Sequence, residues 1–263
     1  QKNSFIYNEG NPLFFYGGVG LGKTHLSQAI AWHIKDHDSS NKILYLSAER
    51  FMYQFVKSLQ KNDLMDFKQI FRSIDTLIID DLQFIAGKNG TQEELLCTIS
   101  ELISNKKKII LLCDKHPNNI ENIGKKLKSI LSGGLVIDFK CPDFKTRCQI
   151  LHHFNKALLP DKELDKKIIS LLAEKINSNV RALEGAIKKL AANHILTGED
   201  VSFENAKEVL NDIIISSEQK CNVEKIQKIV ANHFSIKISD LSSKSRIKDI
   251  IIPRQIAIYL SKN

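Results

Sequence analysis

Gly17-Gly18-Val19-Gly20-Leu21-Gly22-Lys23-Thr24 stands between an apolar run, Leu13-Phe14-Phe15-Tyr16, and a helix-like stretch from Thr24 to Ile34. This is G-x-x-x-x-G-K-T in the strand, loop and helix setting that gives the pattern its meaning. Glycines let consecutive backbone N–H groups turn inward on a phosphate, and the following helix presents its positive end to the same place. Lys23 adds a point charge at the β- and γ-phosphates, and the Thr24 hydroxyl suits Mg²⁺. A glycine-rich turn that fits by chance is the bland alternative, and the flanking strand and helix disfavour it. The loop predicts a nucleoside triphosphate ligand.

Outward from the loop, five short β-like runs at 13–16, 43–47, 76–79, 109–113 and 135–139 alternate with helical spacing of apolar residues at 50–59, 64–71 and 93–103. Alternating β and α elements with doubly apolar strands predict an α/β fold, a parallel sheet covered on both faces. Its ligand belongs at the carboxyl ends of the strands, beside the glycine loop. The pattern changes at Cys141-Pro142-Asp143, with Pro142 as a break and Asp143 as an N-cap. Only helical segments follow, at 144–159, 164–176, 179–196 and 202–211. A polar stretch, Ser216-Ser217-Glu218-Gln219-Lys220, precedes helices around 223–233 and 254–260. The expected domains are a nucleotide-binding core over 1–141, a helical domain over 142–215, and a C-terminal helical segment over 216–263.

A second acidic motif, Leu77-Ile78-Ile79-Asp80-Asp81, ends the third β-run. Asp80 is the candidate Mg²⁺ holder. Asp81 is the candidate for polarising the attacking water, since phosphoryl transfer is mostly positioning and charge neutralisation. Read alone, the pair is equally a solvated strand end; the upstream glycine loop gives it meaning. Asp114 follows the next strand, where a polar group reaches the γ-phosphate or its water, or simply opens a turn. Arg181, at a helix start, either reaches over the nucleotide or pairs with Glu184.

The net charge is +8, and the pI of about 9.1 modestly favours a polyanionic partner. Basic residues cluster at Lys106-Lys107-Lys108, at Lys125, Lys126 and Lys128, and at Lys244, Arg246 and Lys248. The five cysteines show no metal-ligand spacing, which points to a reducing compartment. No apolar run approaches the ~20 residues that cross a bilayer.

These pieces together resemble the bacterial DnaA family of chromosomal replication initiators, which are AAA+ proteins. The resemblance rests on Asn11 to His25, Ser47-Ala48-Glu49-Arg50-Phe51, Leu77 to Phe84, Thr91 to Glu94, Lys128-Ser129, Ser178 to Gly185 and Pro253 to Leu260. It implies an AAA+ core with a five-stranded parallel sheet, a helical lid and the start of an all-helical DNA-binding domain. It implies ATP, ADP and Mg²⁺ as ligands, with Gly17, Gly18, Gly20, Gly22, Lys23, Thr24 and His25 around the nucleotide. Thr24 and Asp80 hold the metal, Asp81 orients water, and Asp114 and Arg181 sense the bound nucleotide. Val56 and Lys57 fall where the family contacts single-stranded DNA. Lys244, Arg246 and Lys248 resemble a phosphate-holding basic loop, and Arg254 joins the DNA contacts. The implied partners are double- and single-stranded origin DNA, further copies in an ATP-dependent filament, the replicative helicase and acidic phospholipid. The implied location is cytoplasmic and the hydrolysis slow, a switch rather than metabolism.

Some positions depart from the family pattern. Ile130 stands where an arginine finger is expected, in Leu127-Lys128-Ser129-Ile130, and Lys126 replaces the arginine before it. An isoleucine cannot neutralise γ-phosphate charge, so weakened ATP-dependent assembly is expected. Gly90 replaces a basic residue on the single-strand side, with Lys88 nearby. The Asp-His-Thr-Thr-Val signature of the recognition helix is absent from the sequence, so base-edge reading in a major groove is not expected of it. These departures keep a regulatory or adaptor ATPase, or a decayed initiator, open as the alternative.

Overall fold

The computed structural model describes residues 10–160, 162–177, 179–198, 200–213, 223–243 and 247–262. The first half alternates strands and helices. They are β1 (Leu13–Tyr16), α1 (Lys23–His37), β2 (Ile43–Ser47), α2 (Ala48–Lys61), α3 (Leu64–Arg72), β3 (Thr76–Asp80), α4 (Asn89–Ser104), β4 (Lys108–Cys113), α5 (Lys125–Gly133) and β5 (Leu135–Asp138). The five strands form one parallel sheet in the order β2-β3-β4-β1-β5. The chain steps from β1 to the far edge, returns through β3 and β4, and crosses to the other side of β1. That reversal opens a crevice at the carboxyl end of β1, which is where the glycine loop begins.

Apolar residues on both faces explain the central strands. All of β3 is buried, and so is β4 from Ile109 onward. The expectation of cover on both faces fails at β5. There Leu135 is 39% and Ile137 37% exposed, because among the described residues β5 is a sheet edge with β1 as its single strand neighbour. Asn11 fixes how β1 enters the sheet. Its amide donates to the Lys107 carbonyl at 2.7 Å and its oxygen accepts from the Ile109 N–H at 3.0 Å. Gly134 permits a close approach at the start of β5, since an added Cβ there would lie 1.9 Å from the Pro12 carbonyl oxygen.

Helices α2 and α3 pack through aromatic rings. Phe51 meets Phe67 and Phe71 edge-on at centroid distances of 5.6 and 5.3 Å, and all three rings are buried. Ser47 ends β2 and caps α2, its hydroxyl accepting from the Arg50 N–H at 3.2 Å. Such a cap satisfies one orphan N–H of the first turn.

Past β5 the described elements are helical: α6 (Phe144–Leu158), α7 (Lys166–Lys175), α8 (Val180–Thr197), α9 (Phe203–Val209), α10 (Val223–His233), α11 (Ile238–Leu241) and α12 (Lys248–Lys262). Asp143 caps α6 as its sequence suggests, accepting from the Thr146 N–H at 2.7 Å, and that bond holds its carboxyl below the usual range. The chain divides into two compact units, Gln1–His153 with Ser178–Gly185, and Phe154–Asn177 with Ala186–Asn263. In the second unit Ile226, Val230, Ala231, Leu241 and Ala257 form a small core among α10, α11 and α12. Helix α12 starts earlier than the expected 254 and runs through Pro253. The polar stretch 216–220 lies outside the described residues.

Candidate nucleotide site

The glycine loop connects the carboxyl end of β1 to the first turn of α1. Gly17, Gly20 and Gly22 have φ of 150°, 80° and 94°, values that residues carrying a Cβ rarely adopt. At Gly17 space also decides, since a Cβ would lie 2.4 Å from the Phe139 carbonyl oxygen. Gly18 lies beside the Leu21 side chain.

Lys23 is the first residue of α1 and is buried. Its ammonium curls back over the loop, donating to the Gly17 carbonyl at 2.8 Å and the Gly18 carbonyl at 3.0 Å. A buried charge needs such partners, and two loop carbonyls keep it aimed at the cradle. His25, the third residue of the same helix, is exposed.

Thr24 and Asp80 meet across the crevice. The Thr24 hydroxyl donates to Asp80 Oδ2 at 2.7 Å. Asp80 also accepts from the Tyr45 hydroxyl at 2.9 Å and, through Oδ1, from the Asp81 N–H at 2.8 Å. Burial drives the Tyr45 phenol up to about 12, so it stays a donor at neutral pH. Ser27 is fully buried beneath, 3.3 Å from the Tyr45 hydroxyl and donating to the Thr24 carbonyl at 2.8 Å. A hydroxyl and a carboxylate oxygen are hard donors that suit Mg²⁺. That ion is commonly held by one or two protein groups together with substrate phosphates. Among the described residues no group of three or more His, Cys, Asp or Glu side chains gathers into a self-sufficient metal cage.

Asp81 is exposed and takes the left-handed conformation, φ 57° and ψ 49°. Its Oδ1 accepts from the Gln83 amide at 3.0 Å. Asp114 follows β4, its N–H donating to Gln83 Oε1 at 3.3 Å. Cys113 is fully buried, and that burial pushes its thiol up to about 11. Arg181 is exposed in the first turn of α8. The Val180 and Arg181 N–H groups donate to the Gly20 carbonyl at 2.8 and 3.3 Å, so the start of α8 is fastened to the loop itself.

The structure thus brings together the glycines, Lys23, Thr24, Asp80, Asp81, Asp114 and Arg181. Tyr45 and Gln83 join them, and neither is marked as a site residue in the sequence. Their signal was faint, one hydroxyl in an apolar strand and one amide after an acidic pair. Ile130 is half-buried against the main core beside Leu127 and Leu131.

Two of the candidate DNA residues, Val56 and Lys57, belong to α2. Val56 is 42% exposed, and the Lys57 ammonium stands 5.7 Å from the exposed Tyr53 ring on α2. Arg254 is committed within the chain. Its guanidinium donates to the Leu241 carbonyl at 2.9 Å and to the Asp240 carbonyl and Ser243 hydroxyl, each at 3.2 Å. It thereby closes the carboxyl end of α11. Lys244 and Arg246 lie outside the described residues, as does the Lys248 side chain.

Two family models match. The bacterial DnaA ATPase domain covers residues 4–138, and the bacterial DnaA protein helix-turn-helix covers residues 223–263. The chromosomal replication initiator protein DnaA of Rickettsia rickettsii (strain Sheila Smith) is 47% identical over 261 residues, 99% of this chain and 56% of that protein. The chain therefore spans little more than half the length of the curated relatives it matches. Domain III of the Thermotoga maritima replication initiation protein DnaA is 34% identical at a TM-score of 0.75, covering 81% of this chain and 92% of that one. A replication initiator DnaA bound to AMPPCP and single-stranded DNA is 32% identical at a TM-score of 0.68, covering 99% and 76%. Among the described residues no helix is long and apolar enough to cross a membrane.

Proposed function

The chain belongs to the bacterial DnaA family, and on that premise we propose that it binds ATP or ADP at the Gly17–Thr24 loop and acts in ATP-switched initiation of replication. The observation that carries this reading is the convergence of the Lys23 ammonium, the Thr24 hydroxyl and the Asp80 carboxylate at the carboxyl ends of β1 and β3. Lys23 reaches the β- and γ-phosphates, and the loop N–H groups cradle them. Thr24 and Asp80 hold Mg²⁺, whose charge offsets that of the phosphates. Asp81 orients a water whose oxygen bonds to the γ-phosphorus as the bond to the ADP oxygen breaks. The products are ADP, inorganic phosphate and a proton. Asp114 and Arg181, at the end of β4 and the start of α8, stand where the γ-phosphate is sensed.

The wider activity follows the same family. ATP-bound chains assemble on double-stranded origin DNA, open it, hold the single strand through the α2 face carrying Val56 and Lys57, and recruit the replicative helicase. Acidic phospholipid contact and a cytoplasmic location belong to this reading. So do the boundaries 1–141, 142–215 and 216–263. Ile130 leaves the finger position without a guanidinium, and ATP-dependent assembly is correspondingly weak. The adaptor alternative is not favoured, because both family models match and the second covers 223–263.

Calorimetric titration with ATP and with ADP, in the presence of Mg²⁺, tests the site. The unsubstituted chain binds both and Lys23→Ala abolishes binding. An unchanged affinity in a folded Lys23→Ala variant overturns the assignment.

A further inference from the structure

Gln83 sits in the short 3₁₀ turn Leu82–Ile85 that follows β3. Its side-chain NH₂ donates to Asp81 Oδ1 at 3.0 Å, and its Oε1 accepts from the Asp114 N–H at 3.3 Å. One amide therefore ties the acid after β3 to the first residue after β4. The direction of the amide is fixed by its partners, because a carboxylate only accepts and a backbone N–H only donates. An apolar residue makes neither bond, and a carboxylate makes only the one to Asp114.

Asp81 depends on this tie. Its backbone adopts φ 57°, a left-handed conformation uncommon for residues other than glycine. Its side chain is exposed, so the crevice walls do not confine it. An exposed carboxylate on a single staggered bond samples several rotamers in water. A water-orienting group must be held far more closely, since a displacement of about 1 Å costs on the order of 10²-fold in rate. Gln83 supplies the constraint, and it does so from the strand end where the γ-phosphate is expected.

Resting on the nucleotide-site reading above, we propose that Gln83 is a positioning residue that braces Asp81 against the end of β4. It sets the rate of γ-phosphate hydrolysis while leaving nucleotide affinity unchanged. The bond to Asp81 is the one through which it acts on the water, and the bond to Asp114 is what anchors it.

The test compares Gln83→Leu, Gln83→Glu, Asp81→Asn and the Gln83→Leu/Asp81→Asn double variant. Dissociation constants for ATP and ADP come from calorimetry with Mg²⁺, and hydrolysis from single-turnover measurements. Gln83→Leu should lower turnover on the order of 10²-fold with affinities unchanged. In the Asp81→Asn background the same substitution should have no further effect, as for two groups that act as one. Gln83→Glu keeps the acceptor for Asp114 and loses the donor to Asp81. It should match the leucine variant in turnover, yet retain the slow amide exchange of Asp114 that the leucine variant loses. It also serves as the folded substitute should Gln83→Leu prove unstable.

Several results would overturn the brace alone: a multiplicative loss in the double variant, a loss of affinity as large as the loss of turnover, or full turnover in Gln83→Glu. An unsubstituted chain that binds no nucleotide would overturn the site reading and the brace together.

Discussion

Asp75 shows how one side chain gathers the sheet at the end opposite the nucleotide site. Its Oδ2 accepts from the Lys42 N–H at 3.0 Å and its Oδ1 from the Lys107 ammonium at 2.6 Å. Its own N–H donates to the Lys42 carbonyl at 2.8 Å, and its carbonyl accepts from the Lys108 N–H at 3.0 Å. The starts of β2, β3 and β4 are thereby joined. The Lys107 hydrogen bond, with the Lys42 N–H behind it, holds the carboxyl below its ordinary value. A depressed carboxylate stabilises the fold above its unfolded pKa of about 3.9 and loses that contribution as pH falls through the folded value. The ion pair is about one-third exposed on each side, so screening limits it to roughly 0.2–1 kcal/mol. Asp75→Asn should therefore lower urea-unfolding stability by that amount at pH 7, with the gap closing as pH falls below about 4. A gap of equal size at low pH would show that the effect is not carried by the charge.

At the scale of elements, helices α2 and α3 carry a second prediction. Phe51 is fully buried and meets two other rings, so truncation leaves a cavity that neighbouring turns fill poorly. Phe51→Ala should cost about 3–5 kcal/mol and speed amide exchange along α2. Tyr53→Ala, two residues on and 64% exposed, should stay within about 0.5 kcal/mol. A comparable loss from both would mean that the aromatic cluster does not hold the pair. The same helices show what the sequence made legible. Their apolar spacing marks them, and each strand is readable as an apolar run to within a residue of its ends. Helix α5 was not read, because Leu127, Ile130 and Leu131 give barely one period before Gly133 and Gly134 interrupt it. Helix α11 is a single turn, too short for any period to register. The exposure of β5 was equally illegible, since an apolar run reads the same at an edge as in the centre. In the site, residue types announced Lys23, Thr24, Asp80 and Asp81. Tyr45 stayed silent because its bond to Asp80 spans 35 residues of sequence, and Gln83 because its anchor at Asp114 spans 31, although its bond to Asp81 is only two residues long. Such pairings exist only once the strands are side by side.

At the scale of the whole molecule, separate cores have a thermodynamic consequence. The first unit is built on the sheet and its aromatic cluster, while α10, α11 and α12 enclose their own small core. Chains of this kind need not unfold in one step, and a single midpoint then describes neither unit. A ligand that binds only the native form stabilises what it binds by RT ln(1 + [L]/Kd), about 2.7 kcal/mol at one hundred times Kd. Every candidate nucleotide contact, including the α8 start that donates to Gly20, lies in the first unit. Calorimetric melting with saturating ADP and Mg²⁺ should therefore raise the transition of that unit and leave the C-terminal helices unmoved. Lys23→Ala should remove the shift without lowering the ligand-free midpoint by a comparable amount, because its partners are loop carbonyls rather than core. Equal upward shifts in both transitions would mean that the nucleotide stabilises the two units jointly. No shift in either would mean that the glycine loop, for all its geometry, holds no nucleotide.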